Sequence, residues 1–130
     1  MEKKKFHCGD ILSIITGRLL SPRRMHGVMD LLHFMTGDNG YGRDIPGASE
    51  ICANHLLRQF PQLSSYEIEI ALLELNKTLM STPSHSEKKD IVVRWLEKQI
   101  KIYGAIFLVS QIPEDEWVEE NHKRMIAKKK

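Results

Sequence analysis

The stretch TGRLLSPRRMHGVMDLLHFMTGDNGYGRDIP, Thr16 to Pro46, carries most of the punctuation in this chain and decides how its neighbours are read. Thr16-Gly17-Arg18 closes one apolar segment, and Ser21-Pro22 opens the next. A serine hydroxyl accepts a hydrogen bond from a first-turn amide that would otherwise lack a partner, and a proline just inside a helix forfeits only an unpaired amide. Apolar residues at Met25, Val28, Met29, Leu31, Leu32 and Met35 keep a helical period, predicting a helix from Arg23 to Met35. Thr36-Gly37 stops it, because glycine suits the left-handed position past a helix end. Asp38 to Asp44, with Gly40, Tyr41 and Gly42, then reads as a sharply bent loop able to present backbone amides.

Outward from that stretch, Lys3 to Cys8 reads as a short strand, and Asp10 as the N-cap of a helix through Ile11, Leu12, Ile14 and Ile15. Asp44-Ile45-Pro46 starts a third helix with Ala48, Ile51, Cys52 and Leu56 on its apolar face. It stops near Arg58, since the residue before Pro61 is pushed out of helical geometry. The capping boxes Ser64-Ser65-Tyr66-Glu67 and Ser84-His85-Ser86-Glu87 open two further helices. The first runs to Met80 with Ile68, Ala71, Leu72, Leu75 and Leu79 inward; the second runs to Tyr103 with Val92, Trp95, Leu96 and Ile102 inward. Ile106 to Val109, confined between Gly104 and Pro113, is too short for a helix and reads as a strand pairing with the N-terminal one. The expected fold is α+β and mostly helical, with about five helices and a small sheet joining the N-terminal strand to a strand near 105–110. One globular domain is expected over residues 1–120, followed by a flexible basic tail over 121–130. Leu12, Ile15, Val28, Leu32, Met35, Ile51, Leu56, Leu72, Leu75, Trp95 and Phe107 are expected to share one core.

A chain of 130 residues supports a single core. No apolar run approaches the roughly 20 residues needed to span a bilayer. The basic start MEKKK is followed by an apolar segment that Ser13 and Thr16 interrupt, which is no secretory leader, so the cytoplasm is the expected location. Cys8 and Cys52 then read as reduced, buried thiols, and no cysteine–histidine quartet exists for a zinc finger.

GDILSIITGRLLSP, MHGVMDLLHFMTGDN and HLLRQFPQL together resemble a small family of uncharacterised proteins from bacteriophages and prophages. The resemblance covers residues 9–63 and resumes at RWLEKQIKIYG, Arg94 to Gly104; Ser64 to Glu87 is specific to this chain. It implies a phage context, hence the cytoplasm of a bacterial host, and no particular chemistry.

Candidate chemistry is sparse. His26, Asp30 and His33 fall on one side of the central helix, but a rise of about 1.5 Å per residue separates the two histidines by roughly 10 Å. All three cannot hold one ion, so a metal reading ranks below an ordinary polar face, even with Asp38 or His55 as added ligands. The glycines Gly37, Gly40 and Gly42 match no nucleotide-binding pattern, since they follow a helix rather than a strand. A cysteine–histidine enzyme can be assembled on paper from Cys8 or Cys52 with His7, His26 or His33, yet catalytic sets are recognised by geometry, not inventory. No cofactor is implied.

The basic groups are unevenly placed: Arg18, Arg23, Arg24, Arg43 and Arg58 lie in the first half, against Arg94 and Arg124 in the second. Arginine suits forked recognition of carboxylate or phosphate. The expected role is therefore that of a phage-encoded, non-enzymatic interaction protein binding a host protein or ribonucleoprotein. Inhibition of a host defence system, as anti-CRISPR proteins achieve, is its concrete form. The expected contact residues are Thr16, Arg18, Arg23, Arg24, Asp38, Asn39, Tyr41 and Arg43. An alternative is sequestration of a small anionic, nucleotide-like ligand on the same residues. A third is direct nucleic-acid binding through the lysine-rich ends, against which the acidic run Glu114 to Glu120 counts.

Overall fold

A computed structural model of the protein describes residues 3–37 and 45–128. In chain order these form strand β1 (Lys3–His7), helices α1 (Cys8–Thr16), α2 (Met25–Thr36) and α3 (Ile45–Gln59), and a 3-10 turn (Pro61–Ser64). Helices α4 (Tyr66–Met80) and α5 (His85–Tyr103), strand β2 (Ile106–Ser110) and helix α6 (Glu114–Lys128) complete them. The architecture is the expected mostly helical α+β arrangement; the helix beyond the expected five is α6, which carries acidic and basic residues on one continuous element.

The two strands form an antiparallel ribbon in which Phe6 faces Phe107 and Lys3 faces Ser110, so the ends of the fold meet as expected. Side chains alternate across a strand; Phe6, Phe107 and Val109 turn inward, while Ile106 and Leu108 stay exposed. Phe6 packs on Phe34 with ring centroids 5.5 Å apart, and Phe107 on Phe60 at 5.0 Å. Gln59, at the end of α3, grips the ribbon like a third strand: its amide oxygen accepts from Ser110 N at 2.8 Å, and its Nε2 donates to Ser110 O at 3.1 Å. Ile112 N donates to Met35 O at 2.9 Å, tying the following segment to the end of α2.

Every residue of the expected core joins one apolar cluster, with Ile15 and Leu72 at its partly buried rim. Ile102 is the exception on α5: six positions from buried Leu96, it sits about 120° round the helix and is exposed, while Gln99 points inward. Trp117 of α6 is buried as well, so apolar packing holds that helix despite its charge.

Two helix starts differ from the sequence reading. Asp10 is not the N-cap of α1; His7 is, its Nδ1 accepting from Gly9 N at 2.9 Å, while the Asp10 carboxylate reaches back to His7 N at 3.4 Å. This is a capping box with histidine in the usual serine place. For α4 the cap is Ser65 rather than Ser64, whose backbone belongs to the 3-10 turn. Ser84 caps α5 as expected, accepting from Glu87 N at 3.4 Å.

Candidate functional site

The connection between α1 and α2, residues 17–24, is held from beneath by a buried carboxylate. Asp10 is 1% exposed. Ser21 Oγ donates to Asp10 Oδ1 in a short hydrogen bond, and the Arg23 guanidinium lies 3.7 Å from Oδ2. Ser21 therefore does not open α2. Its hydroxyl, committed to Asp10, also accepts from Arg23 N at 3.2 Å, its carbonyl accepts from Arg24 N at 3.0 Å, and α2 begins only at Met25. The turn leaves Arg24 at φ 54°, ψ −136°, a conformation that normally favours glycine.

Further side-chain bonds fix the same connection. Ser13 Oγ donates to Gly9 O and accepts from Leu20 N, both at 2.7 Å. Thr16 Oγ1 donates to Leu12 O at 2.6 Å and accepts from Arg18 N at 3.2 Å. Two glycines permit the close approach: a Cβ on Gly9 would lie 2.7 Å from Leu20 O and 2.9 Å from Pro22 Cδ, and one on Gly27 would collide with Asp10 Oδ1 and Ser21 Oγ. Buried charges and hydroxyls persist only when partnered. Polar residues of α1 and of the marked stretch thus tie the loop down at several points.

What that loop presents outward is mixed. Leu19 and Met25 are each 45% exposed, next in sequence to Arg18 and Arg24. Arg18 lies over a groove of about 370 Å³ with Thr16, Leu19, Leu72 and Asn76. Arg23 pairs with Asp30 at 2.8 Å as well as with Asp10. Of the expected contact residues, the structure gathers Thr16 and Arg18 at one groove, sets Arg24 beside Met25, and commits Arg23 to ion pairs. Asp38, Asn39, Tyr41 and Arg43 lie outside the described residues.

His26, Asp30 and His33 are exposed along α2, with Asp30 engaged by Arg23. Among the described residues the set with metal-ligand spacing is another one: His55 on α3 with Glu116 and Glu120 on α6, their donor atoms within 4.8 Å of one another. His55 Nε2 lies 3.1 Å from Glu120 Oε1, and Arg58 approaches Glu116 at 3.2 Å and Glu120 at 3.9 Å. With the guanidinium already balancing both carboxylates, the set is an ion-pair cluster clamping α6 to α3. Its signal in the sequence is the i,i+4 pair Glu116/Glu120. The thiols are remote from nucleophilic chemistry: burial pushes Cys8 up to about 11, and burial followed by the Glu120 charge pushes Cys52 up to about 12. Both are free and buried.

These features define a small helical protein whose marked stretch is built around a buried Asp10–Ser21 contact. Residues 6–65 match the profile of a domain of unknown function (DUF7736), so the chain is similar to that family from Phe6 in β1 to Ser65, the cap of α4. No curated protein and no solved structure matches the chain.

Proposed function

We propose that this protein is a phage-encoded, non-enzymatic interaction protein that binds a host macromolecule through residues 17–26, inhibition of a host defence system being its most concrete form. The observation that carries the reading is the loop's construction. Buried bonds to Asp10, Ser13 and Thr16 hold its backbone in place, yet Leu19 and Met25 stand in solvent beside arginines. Interfaces combine apolar anchors with a polar rim and are enriched in Met and Arg, and a loop rigid beforehand loses little entropy on binding. The buried, protonated thiols favour binding over cysteine chemistry.

The small-anion reading draws less support from the groove under Arg18. Arg18 is the one cationic side chain among the described residues that line it, beside apolar Leu19 and Leu72. Affinity capture from bacterial lysate tests the proposal, comparing the wild type with Leu19→Asp/Met25→Asp. A stoichiometric partner retained by the wild type and lost by the variant is expected. Identical capture by both proteins, or no partner together with unaffected phage growth on defence-bearing hosts, refutes it.

A further inference from the structure

The solvent face of α4 carries an apolar stripe among its charged residues. Tyr66, Ile70, Leu73 and Met80 are 72%, 37%, 67% and 88% exposed, and with Lys77 they follow the alternating four-three spacing of a coiled-coil seam. The helix has a separate inward face, Ile68, Leu75 and Leu79, which is buried. Scattered apolar residues are normal on a surface; a stripe running from the first residue of a helix to its last marks an interaction site. This stripe lies beyond the residues shared with the domain family, 6–65.

We propose that α4 pairs with α4 of a second copy of this chain, antiparallel, about a two-fold axis near Leu73. A two-fold interface must complement itself, and this helix does. Tyr66 and Met80 lie equally far from Leu73 on either side, as do Glu69 and Lys77. Antiparallel pairing sets Tyr66 on the second copy's Met80, a favourable sulfur–aromatic contact, and Glu69 opposite its Lys77, both twice over. Parallel pairing would instead align Lys77 with Lys77 and the acidic first turns, Glu67 and Glu69, with each other. Antiparallel packing also opposes the two helix dipoles. One helix pair covers less than the roughly 800 Å² per partner of a standard interface, so the dimer is a weak one.

Size-exclusion chromatography with light scattering, from low micromolar to several hundred micromolar protein, tests this. The mass should rise from one chain to two. Leu73→Glu should remain at one chain throughout with unchanged circular dichroism, since Leu73 is exposed. Lys77→Glu should weaken the dimer several-fold, and Glu69→Lys/Lys77→Glu should restore it. Cysteine cross-linking reads the orientation, with Cys8 and Cys52 buried and silent. Tyr66→Cys mixed with Met80→Cys should cross-link, while Met80→Cys alone should not. A single-chain mass at every concentration overturns the proposal and leaves the stripe to a different protein. Self-linking of Met80→Cys as efficient as the mixed pair overturns the antiparallel arrangement.

Discussion

Replacing Gly27 by alanine should destabilise this protein, although the same change in an ordinary helix is favourable. Gly27 lies in the first turn of α2, and glycine-to-alanine in a helix interior gains about 1 kcal/mol from propensity. Here the added methyl would occupy the space of Asp10 Oδ1 and Ser21 Oγ, two atoms already in a short contact. Neither can retreat far, because Asp10 is buried and its carboxylate also accepts from His7 N. Overpacking costs about 1 to 3 kcal/mol, and loss of a hydrogen bond to a buried charged group costs about 1.5 to 3 kcal/mol. Less the propensity gain, the net loss is about 1.5 to 5 kcal/mol, a large share of the stability of a domain this size. Urea unfolding read by far-UV circular dichroism, with a slope of about 2 kcal/mol per M, would show the midpoint falling by about 0.75 to 2.5 M. A midpoint equal to or above that of the wild type would refute the buried Asp10–Ser21 contact as the keystone of the α1–α2 junction.

Arg23→Ala should cost about 1 kcal/mol in the same assay, more than the roughly 0.5 kcal/mol of an unremarkable surface site, because its guanidinium neighbours buried Asp10; half its side chain is in water, which keeps the figure low. Leu32→Ala and Trp95→Ala should each lose about 2 to 5 kcal/mol through transfer and cavity terms. For Trp95 part of the loss is the Nε1 donation to Ala71 O at 2.9 Å, so Trp95→Phe should recover most of the packing but not all of the stability. Both cysteines should resist a thiol reagent at pH 8 in the native protein and react fully in urea. Their folded pKa values, about 11 and about 12, lie above the ordinary 9.0. Their contribution is therefore intact below pH 9 and lost as pH rises through 9 to 12, so urea midpoints should fall with pH over that range.

Much of the fold was legible in the sequence because its elements are periodic and well punctuated. Gly17, Gly37 and Gly104 end helices in the structure as they do on paper, and β2 was a short apolar run for which the N-terminal segment around Phe6 was the simplest partner. The marked stretch was harder. Asp10, Ser21 and Arg23 are residues that ordinarily cap helices or face water, and nothing local distinguishes a cap from one half of a long-range contact. Ser21 sits eleven positions from the carboxylate it binds, a distance no periodicity encodes. Trp117 was obscured by its acidic neighbours, and the outward stripe of α4 was hidden by the inward one, since a helix apolar on two faces has little directional pattern.

The β1–β2 ribbon sets a timetable for the chain as it is made. Phe6 leaves the ribosome about a hundred residues ahead of its partner Phe107, which at 5–20 residues per second is a wait of about 5–20 s. During that interval α1, α2 and α3 can meet, but the side of their core that the ribbon covers stays open, and β1 has an unpaired edge. A nascent chain of this kind is exposed to premature pairing with its neighbours on a polysome. The three lysines of β1, Lys3, Lys4 and Lys5, place repelling charge on the strand that must wait longest.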